Sequence, residues 1–347
     1  MLMAVLTLFC GVKAGAQEES ENGYLLIAPR VAVSLFDTFE GTSVGYDNTI
    51  LYSILNLPFG DGFTLSMSNR WARYNWSGTK RLYTNLGYAD DLNWIDILKV
   101  RWDIGRFYVQ LGKDCMAYGN YTYDLYAQDY FTDVCDTFVA NYQAYLWGGS
   151  IGFHLTGRSD LMFQITDTPY SSRIFDSHCL AFTGQWAYSG EHLNTLYTYN
   201  GIQRPDGSFM NYFAFGHMYT NGPFSCQLDL SSHFTELRHA FDSEEAIGLR
   251  LGWAVTPQLE LYAQGVWECS RQEQSEWGGY ASSWNIPGSC IPMQITAEKD
   301  LWLGAFTAFW FPMKDRSLRV HLLAAGNNYA KGGTLQMGAT YFFQIDF

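Results

Sequence analysis

The feature that most constrains this chain is a two-residue alternation, clearest at its end. In the final run MGATYFFQIDF and just before it, Leu335, Met337, Ala339, Tyr341, Phe343, Ile345 and Phe347 are apolar, while Gln336, Thr340, Gln344 and Asp346 fall between them. Neighbouring side chains of a β-strand point to opposite faces, so this run gives a ribbon with one apolar and one polar side. The same period recurs at Ile151/Phe153/Leu155, Leu161/Phe163/Ile165, Phe107/Val109/Leu111, Ile247/Leu249/Leu251/Trp253 and Leu318/Val320/Leu322.

Turn chemistry cuts the chain into pairs of such runs. Stretches rich in Gly, Pro, Asn and Asp at 58–62, 104–105, 157–160, 189–192, 220–223, 256–258 and 312–317 are hairpin connections, and longer irregular stretches, chiefly 76–93, 114–144 and 269–299, separate the pairs. The spacing predicts sixteen strands: 24–36, 47–57, 63–75, 94–103, 106–113, 145–156, 161–168, 178–188, 193–200, 209–219, 224–234, 245–255, 259–268, 300–311, 318–328 and 334–347. An even count, with short links on one side and long ones on the other, is the pattern of an all-β transmembrane antiparallel barrel with short periplasmic turns and longer outer loops. No apolar run reaches the ~18 residues of a spanning helix after the start of the chain. Aromatics near strand ends (Trp71, Tyr74, Trp102, Trp186, Tyr188, Tyr219, Trp253, Trp267 and Phe311) suit membrane interfaces.

Residues 1–16 read as an export signal, an apolar stretch followed by Ala14-Gly15-Ala16, leaving 17–347 as the barrel. Removing Lys13 with it leaves 20 of the 21 basic side chains against 34 acidic ones, a balance unfavourable for nucleic acid or anionic lipid as a partner. The terminal pattern resembles the C-terminal assembly signal of Gram-negative outer-membrane proteins. That resemblance implies a location in the cell outer membrane, contact with its lipid, and recognition by the barrel assembly machinery through Tyr341, Phe343, Ile345 and Phe347. The stretch WIDILKVRWDIGRFYVQLGKDCMAYGNYTYDLY, Trp94 to Tyr126, is similar to a segment of the phosphate-selective porin O and P family. What this implies is a homotrimeric, sixteen-stranded porin whose third outer loop folds into the lumen.

The residues bear on that loop directly. Segment 114–144 carries Asp114, Asp124, Asp129, Asp133 and Asp136 and no Lys or Arg. Taking the polar phase of each strand as the lumen, the wall presents Arg30, Arg70, Lys99, Arg101, Arg106, Arg250 and Arg319 against Asp103, Asp229, Glu260 and Asp346. An acidic loop facing a basic wall would set a transverse field across a diffusion channel for small hydrophilic solutes or ions. Small inward residues such as Ser34, Ser68, Ser150, Gly152 and Thr183 read as open space. Cys115 with Cys135 in the third loop, and Cys269 with Cys290 in the seventh, are candidate disulfides in an oxidising compartment.

Competing readings are a sugar- or anion-specific channel, with lumen rings such as Tyr108 and Tyr262 as a glide path, and a non-conducting structural barrel or a barrel enzyme. The chain carries no HExxH, Walker or CxxC pattern, and no catalytic residue, metal or cofactor is assigned.

Overall fold

The protein, described by a computed structural model over residues 23–38, 41–45, 49–73, 95–119, 121, 145–169, 178–242, 244–270, 300–328 and 333–347, is a closed antiparallel barrel. Its strands are β1 (Tyr24–Thr38), β2 (Gly41–Gly45), β3 (Ile50–Phe59), β4 (Phe63–Arg73), β5 (Ile95–Ile104), β6 (Phe107–Cys115), β7 (Tyr145–Thr156), β8 (Ser159–Asp167) and β9 (Leu180–Ser189). There follow β10 (Leu193–Gln203), β11 (Phe209–Asn221), β12 (Phe224–Phe234), β13 (Glu244–Thr256), β14 (Leu259–Ser270), β15 (Leu301–Trp310), β16 (Leu318–Asn327), β17 (Gly333–Tyr341) and β18 (Phe343–Asp346). They make sixteen crossings, as the alternation predicts. β17 and β18 continue one register along β1, interrupted only at Phe342. β2 is an extra short strand that also lies along β1, one residue out of register with β3: Ser34 pairs with Gly45, Arg30 with Ile50.

Tight turns join β3–β4, β5–β6, β7–β8, β9–β10, β11–β12, β13–β14 and β15–β16 at the end that also holds residues 23 and 347. The seam there is closed by Phe347 N–H donating to Gly23 O at 2.8 Å. Closure matters physically, because in hydrocarbon an open strand edge would leave a row of unsatisfied backbone groups.

The outer surface explains the alternation. Leu111 is 64% exposed, Met337 61% and Val31 59%, and comparable apolar side chains face outward on strand after strand. A band of this kind is stable against lipid, not water. Rings gather toward both rims. Phe63 stacks on Trp102 at 5.3 Å near the tight turns, and Trp267 lies 6.1 Å from Trp302 near the other rim, its indole N–H donating to Asp300 at 3.0 Å. Phe311 is a correction: it is buried, with the Arg316 guanidinium 3.7 Å over its ring. Trp71 and Tyr74 have side chains outside the described residues, as does the whole of the predicted export signal.

The inner face departs from a simply polar lining. On β14–β16, Val266, Leu301, Leu303, Ala305, Phe309, Leu323 and Ala325 point inward and are buried as one cluster. Both phases of β15 are apolar, and period alone cannot say which faces the lumen. Of the small inward residues, Thr64, Ser66 and Ser225 are half-buried, while others do not mark open space. Ser34, Ser68, Ser150 and Thr183 are buried, and the room beside Gly152 is filled by the Tyr108 ring, which would lie 2.0 Å from an added Cβ.

Candidate functional site

β6 ends at Cys115, and the chain then runs along the inner wall instead of leaving the barrel. The amide oxygen of Gln164 on β8 accepts from Ala117 N–H at 3.2 Å, while its amide nitrogen donates to Cys115 O at 3.2 Å. Farther round, Asn200 on β10 donates to Ala117 O at 3.1 Å and is itself held by Thr183. On β12, Asp229 Oδ1 accepts from Tyr121 N–H at 2.9 Å. All three wall residues are buried on the lumen phase of their strands. Backbone groups drawn away from water need such partners, and here side chains supply them.

Two glycines permit the close approach. Gly119 has φ +82°, and a Cβ there would lie 2.3 Å from Thr198 Oγ1; a Cβ on Gly216 of β11 would lie 2.8 Å from Gly119 O. Apolar contacts complete the root. Met116 and Tyr118 are buried in one cluster with Ala181, Ile202, Met210, Tyr212 and Ala214, the rings of Tyr118 and Tyr212 meeting edge-on at 6.3 Å. Tyr121 packs on Ala187 and Leu196, and burial together with the nearby Asp229 charge pushes its hydroxyl pKa up.

The third loop therefore begins later than its sequence suggests. Asp114 is not a loop residue: it lies in β6, where both its oxygens accept from Lys99 Nζ at 3.0 Å and Gln110 also donates to it. Asp124, Asp129, Asp133 and Asp136 lie outside the described residues, as do Cys135 and Cys290. Cys115 and Cys269 are strand residues, near the ends of β6 and β14. The Cys115 thiol donates to Met116 O at 3.3 Å and that of Cys269 to Glu245 at 3.4 Å.

The basic wall resolves into two groups. On β5, Lys99 is neutralised by Asp114, and Arg101 grips Asp103 with Nε at 3.0 Å from both oxygens and Nη2 at 2.6 Å from one. Arg101 also lies 4.0 Å over the Tyr108 ring, which in turn approaches His154; His154 and Asp160 are 2.6 Å apart. The second group is spread over β1, β13 and β16. Arg30 on β1 lies 5.4 Å from the Tyr52 ring centre, Arg319 on β16 lies 4.8 Å from Phe309 and 5.0 Å from Phe342, and Arg250 on β13 lies 4.7 Å from Tyr262. Stacking of this kind holds a guanidinium plane rigid while leaving its charge intact. By the strand pairings β1 is eight crossings from β10, so Arg30 stands on the wall opposite Asn200.

Arg106 does not belong to this wall: it sits exposed in the Gly105–Arg106 turn, where its carbonyl accepts from His154 N–H at 2.8 Å. Arg70 lies in β4, its side chain outside the described residues. Of the wall acids, Glu260 bonds Arg316 and Tyr262, and Asp346 is exposed at the chain end beside Gln344. Tyr341, Phe343, Ile345 and Phe347 all face outward and exposed, as the terminal pattern requires. Sequence reasoning missed Phe342, which packs inward under Arg319; it is the one ring on the polar phase of the last strand. Gln164 and Asn200 went unnoticed because an inward amide looks the same whether it meets water or a loop.

No protein-family model and no curated protein matches this chain. Solved structures do resemble it. The outer membrane channel DcaP of Acinetobacter baumannii gives a TM-score of 0.61 at 10% identity, over 95% of this chain and 100% of that one. The anion-selective porin of Comamonas acidovorans gives 0.55 at 11%, over 93% and 98%. OmpT of Vibrio cholerae, an outer membrane protein solved in a trimer form, gives 0.53 at 11%, over 93% and 100%. The likeness is one of fold.

Proposed function

We propose that this chain is a porin of the Gram-negative outer membrane, forming a water-filled diffusion channel for small hydrophilic solutes and working as a homotrimer. The observation that carries this reading is the loop root: a segment pinned along the inner wall by Gln164, Asn200 and Asp229 has no use in a barrel that merely anchors or decorates a membrane. In this reading the segment after β6 is the constriction, and its composition, with Asp124, Asp129, Asp133 and Asp136 and no Lys or Arg, set against the basic side chains of the wall, gives a field that favours polar solutes over apolar ones. The solved channels and porins with this fold support the assignment. A signal peptide at 1–16 and bridges Cys115–Cys135 and Cys269–Cys290 belong to the same reading; thiol alkylation with and without reductant, read by mass, tests the bridges.

A second reading is a channel preferring anions, favoured by one observation, the stacked and preorganised charges of Arg30, Arg250 and Arg319. Recording from the refolded protein in a planar bilayer under a salt gradient tests both. Discrete steps grouped in threes are expected, and the sign of the reversal potential says whether acids or arginines govern selectivity. A folded barrel without steps overturns the channel reading. Block of the current by added oligosaccharide would identify a sugar-specific pore instead.

A further inference from the structure

We infer that Gln164, Asn200 and Asp229 are the positioning residues that fix the bore of the channel, acting through the backbone of Cys115–Tyr121. The inference rests on the channel reading and adds to it which groups hold the root of the loop. The three lie on β8, β10 and β12, so they grip the segment from alternate strands across five neighbouring crossings. Gln164 satisfies both the Cys115 carbonyl and the Ala117 amide, Asn200 the Ala117 carbonyl, and Asp229 the Tyr121 amide. Every bond goes to main-chain groups of Cys115–Tyr121, so these bonds do not depend on which side chains the loop presents.

The intervening strand, β11, contributes an absence. Gly216 leaves space that the Gly119 carbonyl occupies, and the Asp229 carboxylate borders the same space, 3.0 Å from where a Cβ would stand. A methyl group at 216 therefore presses on the loop and on one of its holders together. Each neutral hydrogen bond shifts the balance between docked and released loop by about fivefold, and the bond to the Asp229 carboxylate by more. Loss of two shifts that balance toward the released loop by about twenty-five-fold or more.

The test pairs two measurements on the full-length refolded protein. In the wild type, hydrogen exchange should show the amides of Ala117 and Tyr121 protected to the same degree as neighbouring strand amides. Rapid exchange at both overturns the inference without any variant. Then Asn200→Leu combined with Asp229→Leu should raise single-channel conductance, on the order of twofold, or break it into noisy sublevels, with the heat-modifiable gel mobility of the folded barrel unchanged. Gly216→Ala should move the same way. Asp229→Asn, which keeps an acceptor oxygen, should retain protection at Tyr121 where Asp229→Leu loses it. Folded variants with wild-type conductance and noise overturn the positioning role. A wild type without steps instead sinks the channel reading, and the exchange result still reports on the clamp.

Discussion

Asp315 shows how a single side chain can fix a connection. In the β15–β16 turn its Oδ1 accepts from Ser317 N–H at 3.1 Å and from the Ser317 hydroxyl at 2.9 Å. The backbone bond first and the hydroxyl second hold its carboxyl below the usual 3.8. Asp206 does the same with Ser208 in the β10–β11 turn, the hydroxyl bond being the larger cause there. Because the folded value is depressed, the contribution of each carboxylate is fully present above the unfolded value and is lost as pH falls through the folded one. Titration of the Asp315 carboxyl by NMR should give a midpoint below 3.8 that rises only part of the way back in Ser317→Ala, which removes the hydroxyl bond and keeps the backbone one. The same scale shows where sequence reasoning stops. Arg106 and Asp114 sit at strand ends, where one residue separates a wall side chain from a turn or loop. Phe342 broke the alternation in plain view, yet only its contact with Arg319 explains why a ring belongs there.

Strands were legible because alternation and turn chemistry act on neighbours in sequence. β7 and β12 begin and end where the periodicity places them, and β1, β5, β6, β15 and β16 differ by at most two residues at either end. Side-chain partners across the lumen were not legible, since nothing local distinguishes Gln164, which holds a loop, from Gln185, which donates to Thr198 on the next strand. The inward apolar cluster of β14–β16 was hidden for a related reason: a strand apolar on both phases has no readable face. Where the outward face is unambiguous, its cost can be stated. Leu111 on β6 faces lipid, and Leu111→Lys should lower folding stability in vesicles by ~2–4 kcal/mol if the site lies near the bilayer midplane, less toward the rim. Equilibrium unfolding in urea with lipid vesicles measures it, and Leu111→Ala should cost far less.

For the whole molecule the decisive contact is the seam. Tyr24 to Ile27 pair with Phe343 to Asp346, and Arg30 to Phe36 with Thr334 to Thr340, so the first and last crossings are hydrogen-bonded along nearly their full length. Deleting residues 343–347 removes one of these two blocks and the outward rings at its end. The truncated chain should fail to give the heat-modifiable folded band, whereas replacing Tyr341 by Phe should leave it intact.

Gln336 reaches across that seam to Ser34, two side chains 302 residues apart in the chain. A contact of such span cannot form while synthesis is under way, because its second half does not yet exist. Local hairpins can form early, but the ring must wait for its final residues, and the entropy of bringing such distant ends together favours slow closure. Until then every strand carries its greasy side through water, so the interval between synthesis of β17 and closure at the membrane is when this protein is most exposed to aggregation, and when an escort that masks alternating apolar ribbons would matter most.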